Sequence, residues 1–407
     1  MNRKIIFVLI VAFFSRIFAV YFLERHINPE VWENDYIALN IINGGGHVFQ
    51  RFNTTYYSGY PGYTAICAIF HFLTGQNYFF LLLFQIVLAV IVCYIVYRMA
   101  EKIFSEKVGF VASFVVAIHP GLILYCTKIH EQTLTVFFIT IIFWLILYLD
   151  KTKMFNNVIM GALIGFGMLI RPEIVLFLPV YFIYLWLSSK DFKNITKPIC
   201  VVFFCAIFVI LPWEIRNYKI HKKWIFITTS SAEHFWRGNN KYSSGSALTP
   251  DGKSVIAVAP KAFMEKLYTM NEIQQYSFFY KETFKYIKSN PGHFAKMILE
   301  KFFYFWWFSP TAGLWYPKMW LVVYKIFYSV MFLFFFVGLY FSLLRSKDVV
   351  KVSVIILLLF LMFFSISHSL YYVETRHRWL VEPLMIIISS YGYTMFLKEL
   401  RRRLSVI

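Results

Sequence analysis

Two carboxylates, Glu33 and Asp35, stand just beyond the first apolar segment, in the stretch VWENDYIALNIINGGGHVFQRFNTTYYSGYP from Val31 to Pro61. Carboxylates take protons from attacking hydroxyls. A flexible turn, Gly44-Gly45-Gly46, and an aromatic run follow them, as in a reaction centre placed at a membrane surface. Further along, polar residues collect at the ends of other apolar segments. They are His130 and Glu131, Arg171 and Glu173, Arg216 and Asn217, and Asn239. Near the C-terminus they are Arg376, His377, Arg378 and Glu382. Such groups are expensive in a bilayer and mark substrate paths, although long side chains at span ends also act as anchors. Arginine forks match phosphate oxygens. One reaction uses acids and arginines together beside a bilayer: attack by an acceptor hydroxyl on the anomeric carbon of a sugar carried on a lipid phosphate. The phosphate is already a good leaving group. One carboxylate base therefore suffices, with arginines to hold the departing charge, where a glycosidase needs two carboxylates.

Positioning decides which acid serves. Two residues apart, Glu33 and Asp35 diverge by about 200° on a helix and share a face on a strand. Ala38, Leu39, Ile41 and Ile42 predict a short interfacial helix starting near Asp35, with Glu33 just ahead of its first turn, close to unpaired amides.

The rest of the chain supplies a membrane scaffold. Of 407 residues 59% are hydrophobic and 15% charged, with a mean hydropathy of +0.61. A soluble domain carries about a quarter charged residues, so the surplus is spanning sequence. The formal charge of +19 does not indicate nucleic acid. The basic residues gather in no single domain and sit in short segments between apolar runs, where they set topology. Five cysteines without a CxxC pair exclude a disulfide framework and a zinc site. The N-terminal run lacks a small-residue cleavage site and reads as a retained span.

In order, spans are expected near residues 4–23, 78–97, 108–124, 133–149, 158–170, 173–187, 198–213, 320–344, 352–367 and 380–397. The apolar run at 63–75 is short and belongs in the interface or re-enters it. A helical stretch is expected at 261–288, and an amphipathic, aromatic interfacial helix at 293–308. The expected fold is an all-α polytopic membrane protein of about ten transmembrane helices, set in the cytoplasmic (inner) membrane. Residues 1–213 form an N-terminal transmembrane module whose first outer loop (24–62) is catalytic. Residues 214–317 form a small outer-face subdomain, and 318–407 the C-terminal helices. Every short basic loop then falls on one side, which puts both termini in the cytoplasm and the site on the outer face. A carrier of lipid-linked saccharide or a polymerase is the alternative. A carrier wants charges deep in mid-span and matching halves, and neither pattern is present in the sequence.

These residues resemble the GT-C membrane glycosyltransferases, in particular the glycosyltransferase family 39 branch with the protein mannosyltransferases and the lipid A aminoarabinose transferase. The likeness runs through WENDYIALNIINGGG, YSGYPGYTAICAIFHFLTG, HPGLILYCTKIHEQTL, MLIRPE, LPWEIRNYKI, FWRGNN and RHRWLVEPL. The resemblance implies an inverting transferase of hexosyl or pentosyl units. It would move a sugar from a polyprenyl-phosphate donor to a lipid, glycan or protein hydroxyl, with the lipid bilayer as its other partner. Glu33 would be the base, with Asp35 as its rival. Glu131, His130 and Asn239 would bind substrate or acceptor. Arg216, Arg378, Arg171 and His377 would hold the lipid phosphate. A divalent metal ion is possible; Glu33, Asp35 and Glu131 are the acids available to hold one.

Overall fold

The computed structural model describes residues 3–312 and 316–404. Its architecture is helical throughout, with two two-stranded ribbons. Helix α1 (Arg3–Phe22) leads into a polar loop, where β1 (Glu30–Val31) precedes α2 (Glu33–Ile42). A hairpin of β2 (Phe49–Arg51) and β3 (Thr54–Tyr56) follows, then α3 (Pro61–Thr74), which at fourteen residues is too short to cross a bilayer alone. Helix α2 begins at Glu33 rather than near Asp35, so Glu33 lies inside its first turn.

Helix α4 (Tyr78–Ile103) starts where the Asn77 side chain accepts from the Phe79 amide. The apolar run at 108–124 is two helices, α5 (Glu106–Ala117) and α6 (Pro120–Cys126), bent by 52°. Pro120 cannot continue α5, and His119 caps α6 by accepting from the Leu122 amide. Strand β4 (Lys128–Ile129) then pairs in parallel with β1, Glu30 beside Lys128, tying the second loop to the first. Next come α7 (Gln132–Tyr148), α8 (Met154–Ile170), a 3-10 turn (Pro172–Leu176) and α9 (Phe177–Ser189).

Helix α10 runs for thirty residues, Phe192–His221, through Pro198 and Pro212. It therefore continues past the boundary expected at residue 213, and Arg216 and Asn217 lie on its last turns. The polar region beyond it holds α11 (Ser230–Gly238), α12 (Lys261–Tyr268) and α13 (Glu272–Ser289) around a small core of Trp236, Leu267, Phe278 and Phe279. The helical stretch expected at 261–288 is broken, because Asn271 and Gln274 form a reciprocal capping box that starts α13 afresh. Helix α14 (Pro291–Trp306) leads back to the bundle, which closes with α15 (Lys318–Leu344), α16 (Asp348–Leu370), the short α17 (Thr375–Trp379) and α18 (Glu382–Leu404). α15 and α18 pack so closely that a Cβ on Gly338 would collide with the Ile388 carbonyl.

Six helices among the described residues are long and apolar enough to cross a membrane, and the bent α5–α6 pair makes a seventh. Two more, α7 and α8, are apolar but only seventeen residues each. Helix α18 carries a charged last turn, yet its first half is buried in the bundle. This is an all-α polytopic membrane fold.

Candidate active site

A cavity of about 600 Å³ opens where the first loop, the second loop, the start of the 3-10 turn, the polar subdomain and the α16–α17 connection meet. Glu33 stands in its wall. Its side chain is 34% exposed, and what it opens onto is the cavity. Burial pushes its carboxyl up to about 7; Arg51, 3.5 Å away, works against that, and the nearby Glu233 and Glu131 add to it. A carboxyl poised near neutrality suits a general base.

Asn34, next on the helix, accepts from Thr64 at 3.0 Å and donates to Glu131 at 3.2 Å. Glu131 in turn lies 3.3 Å from His130 and 3.9 Å from Arg171. His130 also lies 3.3 Å from Arg376. Arg171 pairs with Glu173 at 3.4 Å, and Arg376 with Glu374 at 2.7 Å, its guanidinium over the Trp32 ring. Two guanidiniums thus flank the His130–Glu131 pair on the cavity wall. His377 and His368 complete that side. Burial pushes the imidazoles of His130 and His377 well below their usual range, so both are neutral. His368, on the cavity lining, is anchored from Nδ1 to the Phe364 carbonyl, and its buried Nε2 lies 3.6 Å from the Glu173 carboxylate.

The opposite wall comes from the polar subdomain: Phe226, His234, Arg237, Tyr276 and Tyr280. Burial pushes His234 down to about 3, against Glu233, which favours its protonated form. The subdomain is pinned to the first loop by buried polar contacts. Glu272 accepts from the Tyr57 and Ser58 amides and the Thr229 hydroxyl, and Gln275 bonds Tyr56 and the Phe52 carbonyl. Phe52 and Asn53 both take positive φ at the β2–β3 turn, strained for a phenylalanine, and the ring of Phe52 is held against Phe279. On the other flank Gly238 lies so near the Tyr371 carbonyl that any Cβ would collide with it.

Four of the expected site residues stand elsewhere. Asp35 is fully buried on the other face of α2, its two oxygens 2.7 Å from His71 and Tyr78. The roughly 200° between i and i+2 turns it from the cavity. Arg378, 1% exposed, is held by Glu382, Tyr324 and the carbonyls of Phe305 and Trp307. Arg216 donates to the carbonyls of Tyr57 and His47, bracing the first loop. Asn239 is buried between Lys301 and the Phe235 and Leu370 carbonyls. All four are occupied by protein partners and do not line the cavity. Conversely Arg51, Glu233, His234 and Arg237 are at the site and are absent from the sequence-based set. Arg51 lay within its opening stretch, and Glu233 and Arg237 show the i,i+4 spacing of a helical pair.

The three acids available for a metal do not converge. Asp35 is committed to His71 and Tyr78, Glu131 to Asn34 and the Arg171 side, and Glu33 faces Arg51. Among the described residues no group of three His, Cys, Asp or Glu is placed to hold an ion. The donor set does not fit a metal centre, and no step below runs through one.

Residues 59–214 match the family described as dolichyl-phosphate-mannose-protein mannosyltransferase. No curated protein sequence matches the chain. Among solved structures it is similar to the archaeal oligosaccharyltransferase AglB of Archaeoglobus fulgidus, in complex with an inhibitory peptide and a dolichol-phosphate. The TM-score is 0.59 at 14% identity, covering 99% of this chain and 51% of that one. The apo form of the A. fulgidus enzyme gives 0.58 at 15%, covering 98% and 52%. ArnT of Cupriavidus metallidurans, bound to undecaprenyl phosphate, gives 0.46 at 12%, covering 90% and 76%. The chain spans about half the length of the archaeal enzyme, and at such identities what the two share is the fold.

Proposed function

We propose that this chain, a GT-C membrane glycosyltransferase by fold, transfers a sugar from a polyprenyl-phosphate donor to an acceptor hydroxyl in the cavity. The observation that carries the reading is the convergence on one cavity of a carboxyl near neutrality, Glu33, with two guanidiniums on its wall, Arg171 and Arg376. Glu33 takes the proton of the acceptor hydroxyl. The hydroxyl oxygen attacks the anomeric carbon as the bond from that carbon to the phosphate oxygen breaks. The electron pair leaves with the phosphate, whose charge Arg171 and Arg376 hold. A single displacement of this kind inverts the anomeric centre. Tyr276, Tyr280 and Phe226 give the substrates flat faces.

The short basic loops support an outer-face site with both termini in the cytoplasm. The polar subdomain would then stand outside, as the dock for a lipid, glycan or protein acceptor. Native mass spectrometry of the purified protein tests the donor. An isoprenoid-phosphate sugar should co-purify with the unaltered chain and be lost from Arg376→Ala. If the chain carries no such lipid, and membranes containing it transfer no sugar from one, the reading is wrong.

A further inference from the structure

Glu233 reaches the site from the polar subdomain, on α11, and never lines the cavity itself; its side chain is 3% exposed. One of its oxygens, Oε1, accepts from Arg51 at 2.6 Å and from Arg237 Nε at 2.8 Å, with Arg237 Nη2 paired to it at 2.6 Å. Arg51, on β2 of the first loop, therefore has a choice of carboxylates. It takes Glu233 at 2.6 Å and leaves Glu33 at 3.5 Å, the edge of a hydrogen bond. The strained Phe52, next to Arg51, carries its ring against Phe279 of the subdomain and its carbonyl against Gln275, and the Arg51 guanidinium lies over that ring. The charged groups facing Glu33 are Arg51 from β2, Glu233 and Arg237 from α11, and Glu131 from the second loop.

We infer that Glu233 is a positioning residue: it holds the Arg51 guanidinium against the polar subdomain and off Glu33, so that the catalytic carboxyl keeps its proton affinity. This deepens the reading of Glu33 as the base and rests on it. A guanidinium in full contact with Glu33 would stabilise the carboxylate and make it a poorer proton acceptor, by the same ion pairing that lowers carboxyl pKa values beside arginines by about 1–3 units. The subdomain thereby does more than wall the cavity. Through a single buried acid it sets the strength of a base that belongs to another part of the chain, 200 residues away. Against the cost of its burial, Arg51 and Arg237 together keep Glu233 ionised.

The test needs no substrate. A hydrophobic carbodiimide attaches to protonated carboxyl groups, and mass spectrometry of peptides containing Glu33 follows its labelling with pH. In the unaltered, detergent-purified chain the midpoint should lie near neutrality. In Glu233→Gln it should fall by about one unit or more, so that labelling at pH 7 drops about fivefold or more. Glu233→Asp, which keeps the charge on a shorter arm, should move it the same way and less, and serves if the glutamine variant fails to fold. A loosened site would also lower the midpoint, by letting water in. Losing the Glu233 charge also lowers the midpoint directly, and Arg51→Gln alone raises it, so a cycle separates the causes. If Arg51 is the cause, Glu233→Gln moves the midpoint far less in the Arg51→Gln background than in the unaltered chain. An unchanged midpoint in a folded Glu233 variant, or a fall as large in the Arg51→Gln background as in the unaltered chain, overturns the inference. Neither result bears on whether Glu33 is the base, which turnover of Glu33→Gln decides on its own.

Discussion

The cavity and the knot around Arg378 contain the same kinds of side chain in different company. At the cavity, Arg171 lies between Glu173 and Glu131, Arg376 pairs with Glu374, and both residues line the open space. In the knot, Glu382 accepts from His119, Tyr324 and Arg378, while Arg378 also donates to two main-chain carbonyls and lies 3.6 Å over the Tyr328 ring. Nothing is left over for a ligand there. Those bonds join the α5–α6 bend, the end of α14, α15 and the start of α18. The contrast repeats at smaller scale in α2, where Glu33 opens onto the cavity and Asp35 closes on His71 and Tyr78. In both cases, Arg376 against Arg378 and Glu33 against Asp35, the two residues are separated by one intervening position, and the turn of a helix points one to the cavity and the other into the protein.

The contrast can be broken most forcefully at Arg378. Arg378→Ala leaves Glu382 buried with part of its partnership gone, and should cost about 3–5 kcal/mol of stability. In thermal unfolding of the detergent-solubilised protein that would be a large loss of Tm or a failure to accumulate. A stable Arg378→Ala protein with weakened donor use would move Arg378 from the knot to the site. Asp35→Asn comes next. It keeps the shape but loses one of two strong acceptor sites, for about 1–3 kcal/mol, with turnover at permissive temperature changed little. Arg376→Ala is the mildest for the fold. It should raise the KM for the lipid donor about tenfold, the loss of one charge-assisted contact, with Tm nearly unmoved. Equal donor KM in Arg376→Ala and the unaltered chain would remove the phosphate from this wall.

The apolar helices and their order were legible because apolar length survives as composition. So was the gathering of acids and arginines at span ends. Of the ten spans expected, however, only six, or seven with the bent pair, are long and apolar enough to cross a membrane among the described residues. Less legible was anything that depends on a face. RHRW presents Arg376 and Arg378 as equals, and only the α17–α18 geometry shows that one meets Trp32 and the other Glu382. The apolar positions after Asp35 indicate α2, but its start two residues earlier, at Glu33, follows from a loop conformation that the periodicity does not encode. The Arg51–Glu233 pair joins residues 182 positions apart, and no local pattern connects them. The break between α12 and α13 was readable in principle, since Asn271 and Gln274 have capping-box spacing.

The most direct test is the pH dependence of sugar transfer in membranes, for the unaltered chain and for Glu33→Gln. A base must be ionised to act. Glu33 holds its proton up to about 7, so the rate should be low in acid, rise through neutrality and level off above it. Glu33→Gln keeps the shape and cannot accept the proton. Its turnover should fall about 10²-fold or more at pH 8, with no rise through neutrality and with donor binding retained. A Glu33→Gln protein that transfers sugar at the unaltered rate, with the same rise through neutrality, would contradict the account.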